Sequence, residues 1–127
     1  MSIVKQAQRT QGLRTNVPTG DHVLVNLTGP GLFVCADISK QGGNSDLTFV
    51  SLDIDGRNVV NISFAALANL GLNKSNPYGL MLTNQGDLDN LTIGYPSPLA
   101  YESSLKVTLQ VREAGIVQIL ANVVHGK

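Results

Sequence analysis

The chain has no tryptophan, one cysteine, two histidines and few charges: Asp, Glu, Lys and Arg make up 14% of its 127 residues. Each shortage closes off a class of function. Cys35 has no second cysteine to pair with, so an internal disulfide is excluded; it reads as a small hydrophobe in a strand. One cysteine and two separated histidines, His22 and His125, cannot close a zinc site. No serine lies in a G-x-S-x-G setting, and neither histidine has a nucleophile beside it in a recognisable pattern. Both histidines read as surface or strand-edge residues. Without tryptophan, the usual stacking platform for sugars is missing. No apolar run approaches the length of a membrane span. The first residues lack the apolar centre of a signal peptide, so the expectation is synthesis and use in, or packaging from, a cytoplasm.

Acids and bases number nine each, for zero formal net charge. No global field draws such a chain to nucleic acid or to a membrane surface, and nucleic acid is not an expected partner. The charged share is well below the roughly 25% of an average soluble domain. A neutral, charge-poor chain needs another way to stay in solution, and burying surface against copies of itself is one.

Apolar residues in strand alternation are abundant. Val23, Val25 and Leu27 alternate in HVLVNLT. Leu32, Val34, Ala36 and Ile38 alternate in LFVCADIS. LTFVSLDI, Asp55-Gly56 and the residues from Arg57 to Ile62 make a hairpin, because both turn positions must accept positive φ. SFAALANLG breaks the alternation: Ser63 is an N-cap, Ala65 to Ala68 favour helix, and Gly71 stops it. YGLMLT, LTIGY, a loop holding Pro96 and Pro98, and two closing strands at about 103–112 and 116–125 complete the count. The expected fold is all-β: a single eight-stranded antiparallel β-sandwich of jelly-roll type with one short helix. Residues 1–20, with Lys5, Arg9 and Arg14 and no acid, read as an extended N-terminal arm, and residues 21–127 as the sandwich domain.

The last strand is apolar on both sides. Val117, Ile119, Ala121 and Val123 are the expected core face. Ile116, Leu120 and Val124 then face outward, interrupted by Gln118 and Asn122, and with Lys5, Arg9 and Arg14 they are the interface candidates. Asp87 and Asp89 in NQGDLDN are weak candidates for calcium, against the simpler reading as turn residues. Tyr78, Tyr95 and Tyr101 are the candidates for a ligand-stacking surface. Phe33, Phe49 and Phe64 read as core or as interface anchors. No cofactor motif is present.

Three units together, LTFVSLDIDGRNVV, NPYGLMLTNQGDLDNLTIGYPSP and YESSLKVTLQVREAG, resemble the small jelly-roll and β-sandwich structural proteins of bacteriophage virions. That family includes capsid vertex, decoration and tail-associated proteins. The resemblance implies a non-enzymatic virion protein, made in the host cytoplasm, that self-assembles into a trimer or pentamer and contacts other virion proteins. The alternative is a ligand-binding β-sandwich for a glycan or small metabolite; an enzyme comes third.

Overall fold

The computed structural model describes residues 4–127. Two antiparallel sheets pack face to face. One has five strands in the spatial order β1 (Gln8–Val17), β9 (Ile116–Gly126), β3 (Gly31–Gly42), β7 (Leu88–Tyr101) and β6 (Leu80–Gln85). The other has four, in the order β2 (Gly20–Thr28), β8 (Ser104–Val111), β4 (Thr48–Ile54) and β5 (Arg57–Ser63). The helix α1 covers Phe64–Asn69. This is the expected all-β sandwich, with nine strands rather than eight.

The additional strand comes from the segment expected to be an arm. β1 pairs with β9 from Gln8↔His125 to Val17↔Ile116. Only Gly12 and Val17 of β1 are buried. The strand is held mainly by its backbone ladder, which explains why its sequence shows no apolar period. The sandwich therefore begins near residue 8, and the expected boundary after residue 20 falls at the start of β2.

The pairings nest: β1 with β9, β2 with β8, β3 with β7, β4 with β5. The chain is one long hairpin whose successive pairs fall alternately in the two sheets. Its tip is Asp55-Gly56, where φ is 53° and 79°, as a two-residue hairpin turn demands. α1 also forms where expected. Ser63 Oγ accepts the Ala66 N–H at 3.0 Å, and Gly71 follows the last turn with positive φ. Phe64 and Leu67 turn inward from the helix.

The core is filled by Val50 and Leu52 of β4, by Leu105, Val107, Leu109 and Val111 of β8, and by Phe33, Ile38, Leu91, Ile93, Ile119, Ala121 and Val123 from the five-stranded sheet. On β8 burial alternates without a break. Each large side chain of this kind contributes about 1.5–3 kcal/mol by leaving water.

Three expected faces shift, each at a bulge. β2 slips between Val23 and Val25, so Leu24 and Val25 are both buried while Val23 is exposed. β3 slips between Phe33 and Cys35, so Phe33 is core, and Leu32, Val34 and Cys35 are only half-buried. β3 slips again against β9 between Gln41 and Gly42. There Ile116 is buried and Val117 is 49% exposed, the reverse of the expectation. A one-residue slip moves every following side chain to the other face. Pro96 and Pro98 lie within β7; the ladder to β3 jumps from Gly94↔Cys35 to Leu99↔Phe33, and residues 95–98 bulge outward.

Candidate functional site: the outer face of the five-stranded sheet

The outward side chains of the five-stranded sheet line up in four rows. Arg9, Val124, Cys35 and Gly94 form one row. Gln11, Asn122, Asp37, Thr92 and Met81 form the next. Leu13, Leu120, Ser39, Asn90 and Thr83 follow, and then Thr15, Gln118, Gln41, Leu88 and Gln85. Arg9 and Asp37 are the only charged side chains among them. Along β9 the outward residues Gln118, Leu120, Asn122 and Val124 are half-buried by their neighbours. Asn122 Oδ1 is buried and has no hydrogen-bond partner. An amide oxygen left in that state costs about 1–3 kcal/mol. Burial also pushes the Asp37 carboxyl above the ordinary aspartate value.

Of the interface candidates, this face gathers Arg9, Leu120 and Val124. It does not include the others. Ile116 belongs to the core. Lys5 exchanges two backbone hydrogen bonds with Lys127, at 2.6 and 2.7 Å, beyond the start of β1. Arg14 donates to the carbonyls of Leu13, at 3.1 Å, and Val23, at 3.2 Å, and so ties the edge of one sheet to the edge of the other. Gly12 makes that closure possible: a β-carbon there would overlap the Leu24 carbonyl group. On the opposite side α1 joins β5 to β6. Both flanks of the sandwich are thus bridged, by Arg14 and by α1, which leaves the two outer sheet faces as the broad open surfaces.

A buried ion cluster at one end of the sandwich has no counterpart in the sequence reading. Lys40 is fully buried on the inner side of β3. Its Nζ lies 2.6 Å from Asp46 Oδ1, 3.3 Å from Glu113 Oε2 and 3.5 Å from Asp89 Oδ2. It also donates to Gly42 O at 3.1 Å and stands 5.4 Å from the centre of the Phe64 ring. Glu113 accepts the N–H groups of Ser45 and Asp46 and the Thr48 hydroxyl. The cluster ties the β3–β4 loop to the β8–β9 turn. Burial opposes the charge on Lys40, but the Asp46 and Glu113 carboxylates outweigh it, and the ammonium is held above the usual lysine value. Burial likewise works against Glu113, and the Thr48 hydroxyl, the Ser45 amide and Lys40 together bring its carboxyl below the usual range. The Lys40 hydrogen bond brings Asp46 down as well. Asp89 goes the other way, raised by burial. A lysine on a strand does not announce whether it faces in or out, and its partners come from three distant segments.

The remaining candidates separate. Asp89 is turned toward Lys40 and accepts the Asn84 amide, whereas Asp87 is exposed. Among the described residues no group of three or more His, Cys, Asp or Glu is arranged to hold an ion. Asp55, read as a turn residue, also accepts the N–H groups of Glu102, Ser103 and Ser104. Those amides hold its carboxyl far below the usual aspartate value. The tyrosines do not share a surface. Tyr101 is core, Tyr95 packs against the core from the bulge of β7, and Tyr78 is 64% exposed. Tyr78 lines an apolar groove of about 420 Å³ with Ile62, Leu70, Leu72 and Leu80. Phe33 and Phe64 are core, and Phe49 is half-buried on the outer side of β4. His125, expected at the surface or an edge, is buried, with Nε2 2.8 Å from Thr10 Oγ1. No helix of the described residues is long and apolar enough to cross a membrane.

No family model matches the chain, and no curated protein matches it either.

Proposed function

We propose that this chain is a non-enzymatic structural subunit of a virion, of the bacteriophage vertex, decoration or tail-associated kind, and that it assembles with copies of itself. The observation that carries self-assembly is the outer face of the five-stranded sheet. It is broad, holds one positive and one negative side chain, and has an unpartnered amide oxygen near its middle. A solvated surface normally carries about a quarter to a third charged residues, and this face carries two. The virion assignment is supported by the sequence units named above and by the nested pairing, which we read as a jelly roll with β6 added at one edge. The three- or fivefold ring expected from the sequence is one closed assembly of such a subunit; a face-to-face pair is another.

The test is mass in solution. Wild-type protein should sediment as an oligomer at high micromolar concentration. Leu120→Arg, in the middle of the face, should lower the mass. Thr108→Arg, placed between Val23 and Ser51 on the outer side of the four-stranded sheet, should not. A wild-type monomer at every concentration would remove the proposal.

The ligand-binding alternative rests on the groove beside Tyr78. A glycan array and a calcium titration that both return nothing would retire it.

A further inference from the structure

We infer that the partner on this face is a second copy of the chain, seated about a two-fold axis that lies in the interface and runs along β9. The inference rests on the self-assembly reading above and specifies its contact. In an interface with two-fold symmetry, the same patch must complement itself. The face meets that condition in one orientation. β9 has β1 on one side and β3 on the other. An in-plane axis along β9 lays β1 of each copy over β3 of its partner. Arg9, on β1, then faces the strand that carries Asp37. The two residues differ by one row along the strands, a distance of about 7 Å that an arginine side chain spans. The contact occurs twice, once on each side of the axis, so both charged residues of both copies are neutralised. An axis across the strands instead returns β1 over β1 and leaves Asp37 without a cation.

Asn122 lies on β9, next to the axis, and faces the same residue of the partner. Leu120 and Val124 flank it on the same strand and meet their counterparts as the apolar centre. About this axis β1, β9 and β3 of the two copies overlap, while β7 and β6 of each copy extend past the partner's β1 edge. Three strands are about 14 Å wide, and the four rows are about 20 Å long. Two such footprints bury on the order of 600 Å², below the range of standard specific interfaces and in that of weak, transient ones. The expected assembly is therefore even-numbered, built from pairs, and weak.

The experiment uses the full chain with charge reversals, Arg9→Asp and Asp37→Arg, each checked for folding by circular dichroism. Mass is followed by sedimentation up to about 1 mM, because an interface this small associates weakly. Each variant alone places like charges together twice and should associate at least about tenfold more weakly than wild type. An equimolar mixture of the two restores both pairs and should regain association as a heterodimer. Wild-type dimers, weakened single variants and a rescued mixture support the inference. Variants that still associate fully, or a mixture that does not recover, overturn it while leaving self-assembly in place. A wild-type monomer throughout overturns both. If charge reversal at Asp37 prevents folding, Asp37→Asn serves instead: dimerisation should weaken and lose its salt dependence, and an unchanged salt dependence would overturn the pairing.

Discussion

The two sheets present very different outer faces. On the four-stranded sheet several polar side chains find partners within the chain. The Asn58 amide donates to Ser51 Oγ, Asp53 Oδ1 and Val60 O at 2.9, 3.0 and 3.0 Å, and Arg112 binds Asp21 at 2.9 Å at the strand ends. Asp53 and Lys106 stand opposite each other in the ladder, so acid and base are neighbours there. On the five-stranded sheet Arg9 and Asp37 lie on different strands, separated by β9, and Asn122 keeps a buried oxygen without a donor. One face has several polar groups paired within the chain; the other keeps one buried oxygen unpaired. Charge alone would not make this distinction, since both faces are sparse. The difference is whether each polar atom is already paired.

The largest effect should come from the element on which both faces depend. The Lys40 cluster joins β3 of one sheet to the loop entering β4 of the other, and Glu113 lies between β8 and β9. Lys40→Met leaves Glu113 and Asp89 without their buried cation. Breaking a buried ion group in this way costs about 3–5 kcal/mol. Chemical denaturation at neutral pH should show that loss, and the two faces should be lost in one transition. A loss below about 1 kcal/mol would mean that the cluster is hydrated and does not hold the sheets together.

A smaller effect compares the faces directly. Asn122→Leu removes an oxygen that has no partner, and replacing an unsatisfied polar group by an apolar one of similar size should raise monomer stability by about 1 kcal/mol. Asn58→Leu deletes a donor with three acceptors and should lower it by about 1–2 kcal/mol. Opposite signs, read from urea midpoints at low protein concentration, preserve the comparison. Equal signs would break it.

Much of this architecture was legible. The Asp55-Gly56 turn, the Ser63 cap and the clean alternation of Leu105 to Val111 are local, and local chemistry decides them. β1 was not legible, because an edge strand anchored by its backbone ladder needs few apolar side chains. The faces of β2, β3 and β9 were misread at Val23, Val34 and Val117 for a single reason: a bulge shifts the alternation by one residue, and its position depends on the partner strand. The candidate face was half legible. Leu120 and Val124 alternate correctly, and Arg9 joins them only because β1 folds onto β9. Arg14, five residues further on, faces the other way and bridges the two edges. The Lys40 cluster needs segments more than 70 residues apart in sequence, and no spacing rule reaches that far.

The smallest expected effect concerns how firmly β1 stays in its sheet, and so whether Arg9, Gln11, Leu13 and Thr15 remain part of the face. His125 lies beneath this seam against Thr10, and burial holds its imidazole below the ordinary histidine value. The folded chain therefore prefers the neutral ring. Its contribution is complete above the unfolded pKa of about 6.5 and is lost as pH falls through the folded value. Asp46 and Glu113, both lowered, lose their contributions only in more acidic solution. Asp89, raised by burial, gains as it protonates and opposes the loss. The difference between wild type and His125→Gln isolates the histidine. From pH 8 to pH 5 the wild-type melting temperature should fall relative to that of the variant. Parallel curves would show that β1 is fastened by its ladder alone, and that acid leaves the open face as it is.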